Sequence, residues 1–186
     1  MFRFALIGIL ATTLISGCAE LMPVPEAQCR EANASSWESV GHADGQDGLE
    51  SGPRLEALRR SCAAVRIAPN SDAYLTGWNR GVLEHCTPER GYTRAVNGMR
   101  INEKLCPEAA RGRLLANAKL GRTVHNLKAE IAGAKADMLR FEHELKDRLI
   151  PRDTRRDLID RIRFLSEKLE TLEPQLTEAQ ASAPVH

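Results

Sequence analysis

LGRTVHNLKAEIAGAKADMLRFEHEL, residues 120–145, carries Leu120, Val124, Leu127, Ile131, Ala134, Met138, Phe141 and Leu145 in alternating steps of four and three. A repeat averaging 3.5 residues places a narrow apolar stripe on one helical face, the period of a coiled-coil seam. The positions between are rich in Arg, Lys, Glu and Asp, as a solvated face requires. After Pro151 the rhythm resumes with Leu158, Ile162, Leu165, Leu169, Leu172 and Leu176. The residue before a proline is driven out of the α region, so Ile150-Pro151 breaks the run. Two long helices joined by so short a break favour an antiparallel hairpin over residues 107–180. A single helix bent at Pro151 is the rival. The first helix, over about 107–149, is roughly 60 Å long at 1.5 Å per residue. Pro174 is expected to kink or fray the second, and residues 181–186 to be disordered. Leu115, Leu139, Leu149 and Ile159 fall outside the rhythm. A stripe wider than one seam predicts a further surface alongside: a second copy, a partner helix or the protein's own globular part.

Upstream, residues 29–106 read as four short helices punctuated by Gly and Pro. Ser35-x-x-Glu38 has the form of a capping box. Pro53 suits the first position of a second helix. Asn70-Ser71-Asp72 and Thr87-Pro88-Glu89 offer caps for a third and a fourth. A weak echo links Trp37-x₃-Gly41-x₃-Gly45-x₂-Gly48 with Tyr74-x₂-Gly77-x₃-Gly81, and Tyr92-x₅-Gly98 follows. Glycines three or four residues apart bare the backbone of one helical face, so another helix can approach closely. Each costs up to about 1 kcal/mol of helix propensity, which close packing offsets. The functional reading is a shallow groove lined by Trp37, Tyr74, Trp78 and Tyr92; the plain reading is core packing in a small stapled domain.

Four cysteines follow Cys18: Cys29, Cys62, Cys86 and Cys106. In an oxidising compartment an even count reads as two disulfides, and three pairings are possible. The sequential pairing, Cys29 with Cys62 and Cys86 with Cys106, is favoured because each bridge closes a helical hairpin. A zinc site is the rival, but the spacings are far wider than those of compact zinc modules. Asp44-Gly45-Gln46-Asp47-Gly48-Leu49-Glu50 lacks the alternating carboxylates of a calcium loop, so neither a metal nor another cofactor is expected. His85-Cys86 invites a thiol-nucleophile reading, yet helical neighbours point about 100° apart and Cys86 is wanted for a bridge. His42, His125, His143 and His186 are scattered and read as solvated. With no nucleophile elbow and no phosphate loop, an enzyme is not expected.

The N-terminus speaks to location. Arg3, the apolar run Phe4–Ile15 and the sequence Leu14-Ile15-Ser16-Gly17-Cys18 form a secretory signal segment over residues 1–17, ending in the pattern read by bacterial lipoprotein processing. Cys18 is the residue expected to be lipidated. The run is shorter than the roughly 20 residues a spanning helix needs. Residues 18–28, with Pro23 and Pro25, form a tether, and membrane attachment rests on the acyl chains. Ala19 resembles the sorting pattern for export to the outer membrane. A formal net charge of +1 without a Lys/Arg block gives no support to nucleic-acid binding. Aromatic residues make up 4% of the chain, which argues against a base- or sugar-stacking surface.

Cys29, Trp37-x₃-Gly41-x₂-Asp44-Gly45-x₂-Gly48, Cys62, Tyr74-x₂-Gly77-x₃-Gly81-x₄-Cys86, Gly91-Tyr92 and Cys106-Pro107 together resemble an uncharacterised family of proteobacterial envelope lipoproteins, a domain of unknown function. The resemblance covers about residues 29–107 and departs at His85, where the family pattern has Tyr. It implies an anchored helical envelope module and supplies no activity or site residues. The expectation is an all-α protein with a small disulfide-stapled helical domain and a long antiparallel coiled-coil hairpin. It is expected to sit on the outer membrane facing the periplasm, as a scaffold, tether or assembly factor that meets an envelope protein or a second copy through the hairpin. A small-ligand module using the aromatic face is the alternative, and an unrecognised envelope enzyme the third reading.

Overall fold

The structure, a computed structural model, describes Cys29 and residues 34–184. The signal segment, the tether and Cys18 lie outside the described residues. Among those described there are six α-helices and no strand: α1 (Ala34–Gln46), α2 (Ser51–Ala63), α3 (Ser71–His85), α4 (Pro88–Val96), α5 (Glu108–Glu144) and α6 (Arg152–Ala181), with a 3₁₀ turn at Glu103–Leu105 before α5. No helix among them is long and apolar enough to cross a membrane.

Helix starts follow local chemistry. The Asn70 side chain accepts from Ala73 N at 3.0 Å, and Thr87 accepts from Arg90 N at 3.2 Å ahead of Pro88. Two expectations shift. The first helix already begins at Ala34, and Glu38, expected to close a capping box, accepts instead from Arg80 of α3 at 2.8 Å. Pro53 is the third residue of α2, still within the first turn, where a missing N–H costs no helical bond.

The globule is organised by α1 and α3, which run parallel and touch backbone to backbone. A Cβ built on Gly41 would overlap the Tyr74 carbonyl oxygen, and one on Gly45 that of Trp78. Reciprocally, Gly77 faces the carbonyl of Glu38, and Gly81 that of His42. The amide nitrogens beyond stand farther off, at 2.9 Å from a Cβ built on Gly77 (His42 N) or on Gly45 (Val82 N). Each glycine therefore aims a Cα–H bond at a carbonyl oxygen of the other helix, a weak hydrogen bond contributing about 0.5–1 kcal/mol. The echo seen in the sequence is thus the two sides of one junction.

The repeat in space is a different one. Helices α4 and α5 form a second parallel pair, in which Gly91 meets the Leu114 carbonyl and Gly121 that of Tyr92. In each pair the first helix ends in a left-handed glycine, Gly48 with φ 73° or Gly98 with φ 69°. The next amide reaches back five residues in both, from Leu49 to Asp44 O and from Met99 to Arg94 O; this is the Schellman closure.

Two disulfides tie the elements around these pairs, neither joining the two helices of one pair: Cys62 lies in α2, Cys86 closes α3 and Cys106 precedes α5. Cys29 is bonded to Cys62 and Cys86 to Cys106, the sequential arrangement, at separations of 33 and 20 residues. Loops of that size give roughly 3–4 kcal/mol each in the chain-entropy model. Both bridges are buried. The first lies among Trp37, Leu55, Leu58 and Tyr74, the second beside Val82 and Leu114, and Trp78 packs against both clusters.

The boundary expected at 106/107 moves. Leu114, Ala118 and Gly121 of α5 are buried, Leu114 in the second core and Gly121 against α4, so the first turns of the long helix belong to the globule. Only its remainder pairs with α6. The two run antiparallel, joined by ion pairs Lys135–Glu173 at 2.7 Å and Lys168–Glu130 at 2.6 Å, with Arg161 over the Phe141 ring. The break at Pro151 therefore makes a hairpin rather than a bent helix. Arg155 donates to the Leu145 and Asp147 carbonyls at 3.1 and 3.0 Å, satisfying groups at the end of α5. Val124, Ile131, Ala134, Phe141, Leu158 and Leu172 are buried as the rhythm requires. Leu120 is 37% exposed, because at that level α5 turns Gly121 toward α4. Pro174 does not stop α6, which continues to Ala181.

Gly41→Ala and Gly77→Ala should each lower stability by at least about 2–3 kcal/mol, since the opposing atoms are backbone and cannot move aside. Gly133, with open space around it, should tolerate Ala with a gain of up to about 1 kcal/mol. Urea unfolding of the three variants measures both effects.

Candidate functional site

The polar groups at the α1–α3 junction are the place to look for chemistry. Asp44, on α1 between Gly41 and Gly45, is buried. Its Oδ2 accepts from Arg54 Nε of α2 at 2.9 Å and from the Tyr74 hydroxyl of α3 at 3.0 Å. Burial pushes the carboxyl above the usual carboxylate range, against the pull of Arg54 and Tyr74. Burial, and then the neighbouring Asp44, push the Tyr74 phenol up. One carboxylate thus ties three helices together, and its oxygen is spent on protein donors.

At the far end of the junction the His85 ring lies fully buried on Gly48, where a Cβ would come within 2.8 Å of Nε2. Its Nδ1 is 3.1 Å from the Gln46 carbonyl. Nε2 is buried without a hydrogen bond of ordinary geometry. The second helix pair repeats the device: His125 sits on Gly98, and its Nδ1 is 3.0 Å from the Val96 carbonyl. Each histidine seals the carbonyl end of the neighbouring helix. Burial holds the His85 imidazole below its ordinary pKa, and the positive charges of Arg94 and Arg90 add to the effect.

The four aromatic residues expected to line a groove do not form one. Trp37 is 2% exposed and Tyr74 fully buried. Trp78 donates Nε1–H to the Leu49 carbonyl at 2.7 Å. Tyr92 is half-buried on α4, on the other helix pair. The physical reason is the glycines themselves: helices in backbone contact leave no trough, and the rings fill the space on either side. Cys86 is held in its bridge, so His85-Cys86 is no nucleophile pair. No group of three or more His, Cys, Asp or Glu side chains clusters within metal reach among the described residues.

Three features escaped the sequence reading. Arg54 gave no signal as the partner of Asp44. His125, expected in solvent, is half-buried and bonded; Gly81-x₃-His85 and Gly121-x₃-His125 share a spacing that links the two histidines. The third is a cleft of about 470 Å³ between the α4–α5 connection and α5, lined in part by Met99, Arg100, Ile101, Leu115 and Arg122.

His85 makes stability depend on pH in a definite direction. The unfolded chain binds a proton at a histidine pKa near 6.5, whereas the native ring accepts one only at lower pH. Between those values the unfolded state holds more protons, so stability falls as pH drops. The stability difference between wild type and His85→Asn should accordingly narrow from about pH 7.5 to pH 5. Urea midpoints along that series check it, and a constant difference would contradict the assignment.

Residues 36–123 match the family model described as "Protein of unknown function (DUF2799)". Comparison with curated proteins and with solved structures gives no match. The matched span runs from the start of α1 to the glycine contact of α5, so over both helix pairs the chain is similar to this uncharacterised family, and the similarity stops where the helical arm begins.

Proposed function

We propose that this is a lipid-anchored protein of the outer membrane, facing the periplasm, in which the stapled globule holds a hairpin that meets an envelope protein or a second copy. Acylation at Cys18 would supply the anchor, following the signal-type segment before it. Two buried disulfides support an oxidising compartment. The 3.5-residue seam supports a coiled-coil reading of the arm.

The observation that carries the interaction role is apolar surface left uncovered on the hairpin. Leu139 is 67% exposed, Phe164 65% and Ile159 45%. Leu139 on α5 and Phe164 on α6 stand at about the same height, since Arg161 reaches Phe141 across the seam. One seam per helix is already satisfied, so these side chains are surplus to the pair. Inside the globule Asp44 and Tyr74 are bonded to each other and Trp78 to the Leu49 carbonyl, which favours association through the arm over a ligand held by the aromatic residues.

Leu139→Glu combined with Phe164→Glu should abolish crosslinks formed from the hairpin in the envelope and any self-association seen by sedimentation. Both positions are exposed, so the thermal midpoint should move by no more than a few degrees. Retention of every crosslinked partner would sink the interaction-arm reading. Cys18→Ala tests the anchor separately: lipid labelling should be lost and the protein should leave the membrane fraction.

A further inference from the structure

We propose that the tip of the α5–α6 hairpin docks on an anionic phospholipid surface. Charge is distributed unevenly along the arm. Residues 145–156 hold five cations, Lys146, Arg148, Arg152, Arg155 and Arg156, against Asp147 and Asp153. The rest of α6, residues 157–181, holds three cations against six carboxylates. A chain of nearly balanced charge has therefore gathered positive charge at one extremity.

Four of the five cations there are unspent. Arg155 is engaged with the carbonyls at the end of α5. Lys146, Arg148, Arg152 and Arg156 have no carboxylate partner among the described residues. Asp147, next to Lys146 and Arg148 in sequence, is engaged within the turn, where Oδ1 accepts from Leu149 N at 2.9 Å, and Asp157, next to Arg156, pairs with Arg161. Between these cations the chain presents Leu149, which is 91% exposed, followed by Ile150 and an exposed Pro151.

An apolar apex ringed by long cationic side chains matches the layering of a bilayer interface. Leu149 can enter the acyl boundary while Arg and Lys reach back to lipid phosphates. A polyanionic polymer would use the cations but has no apolar layer to receive Leu149. This inference concerns the apex and does not depend on the lateral residues Leu139 and Phe164 or on the N-terminal anchor.

The test places an indole at the apex. Full-length Leu149→Trp protein is mixed with vesicles of three parts phosphatidylcholine to one part phosphatidylglycerol, and with vesicles of phosphatidylcholine alone. The wild-type spectrum, from Trp37 and Trp78, is subtracted. With the anionic vesicles the emission should shift to the blue and be quenched by brominated acyl chains, and molar salt should reverse both changes. Adding Arg148→Gln or Arg152→Gln should weaken partitioning roughly fivefold each. Because the readout is local to the tip, it holds whether or not the N-terminus is also on the bilayer. Absence of a shift with anionic vesicles overturns the proposal, as does an equal shift with phosphatidylcholine alone. A shift with purified peptidoglycan sacculi but not with vesicles assigns the tip to the polymer and also overturns it.

Discussion

The structure depends on backbone contact between parallel helices at glycine. Four Cα–H bonds, from Gly41, Gly45, Gly77 and Gly81, point at carbonyl oxygens of the opposing helix, and Gly91 and Gly121 repeat the contact in the second pair. Each such bond is weak. What matters more is the consequence: with the axes this close, side chains cannot lie between the helices. Trp37, Tyr74 and Trp78 are forced to the flanks, where they become the cores around the disulfides.

That geometry also explains the buried polar groups. Asp44 lies between the two glycines of α1, so its carboxylate enters a region with little water and must find donors; Arg54 and Tyr74 supply them. Where the close helices end, carbonyls are left to be covered, and His85 and His125 do so over Gly48 and Gly98. A small domain with two modest cores gains little from burial alone. The bridges Cys29–Cys62 and Cys86–Cys106 add stability by restricting the unfolded chain. The rigid base so formed continues without interruption into α5, so the arm and the globule share one helix.

Much of this was legible along the chain. The helical class, the stop at Pro151, the caps at Asn70 and Thr87 and the glycine faces are all local signals, written within a few residues of where they act. The cysteine pairing was favoured by the same local logic, because each bridge spans neighbouring elements. The aromatic groove was misread because a helical pattern shows which residues share a face but not how near the opposing helix comes. Pro174 was expected to kink or fray the second helix; α6 carries on through it to Ala181, with Leu172 buried on its N-terminal side.

The sequence by itself determined the elements and their apolar faces, since period, caps and breakers act over one or two turns. Only the tertiary structure decided that α1 pairs with α3 and α4 with α5, and that the glycine echo is one interface seen from both sides. It alone joined Asp44 to Arg54 and placed His125 as the counterpart of His85. It also drew the domain boundary inside α5 rather than before it. These are contacts between residues far apart in the chain, and they depend on interhelical distance, which no local pattern encodes.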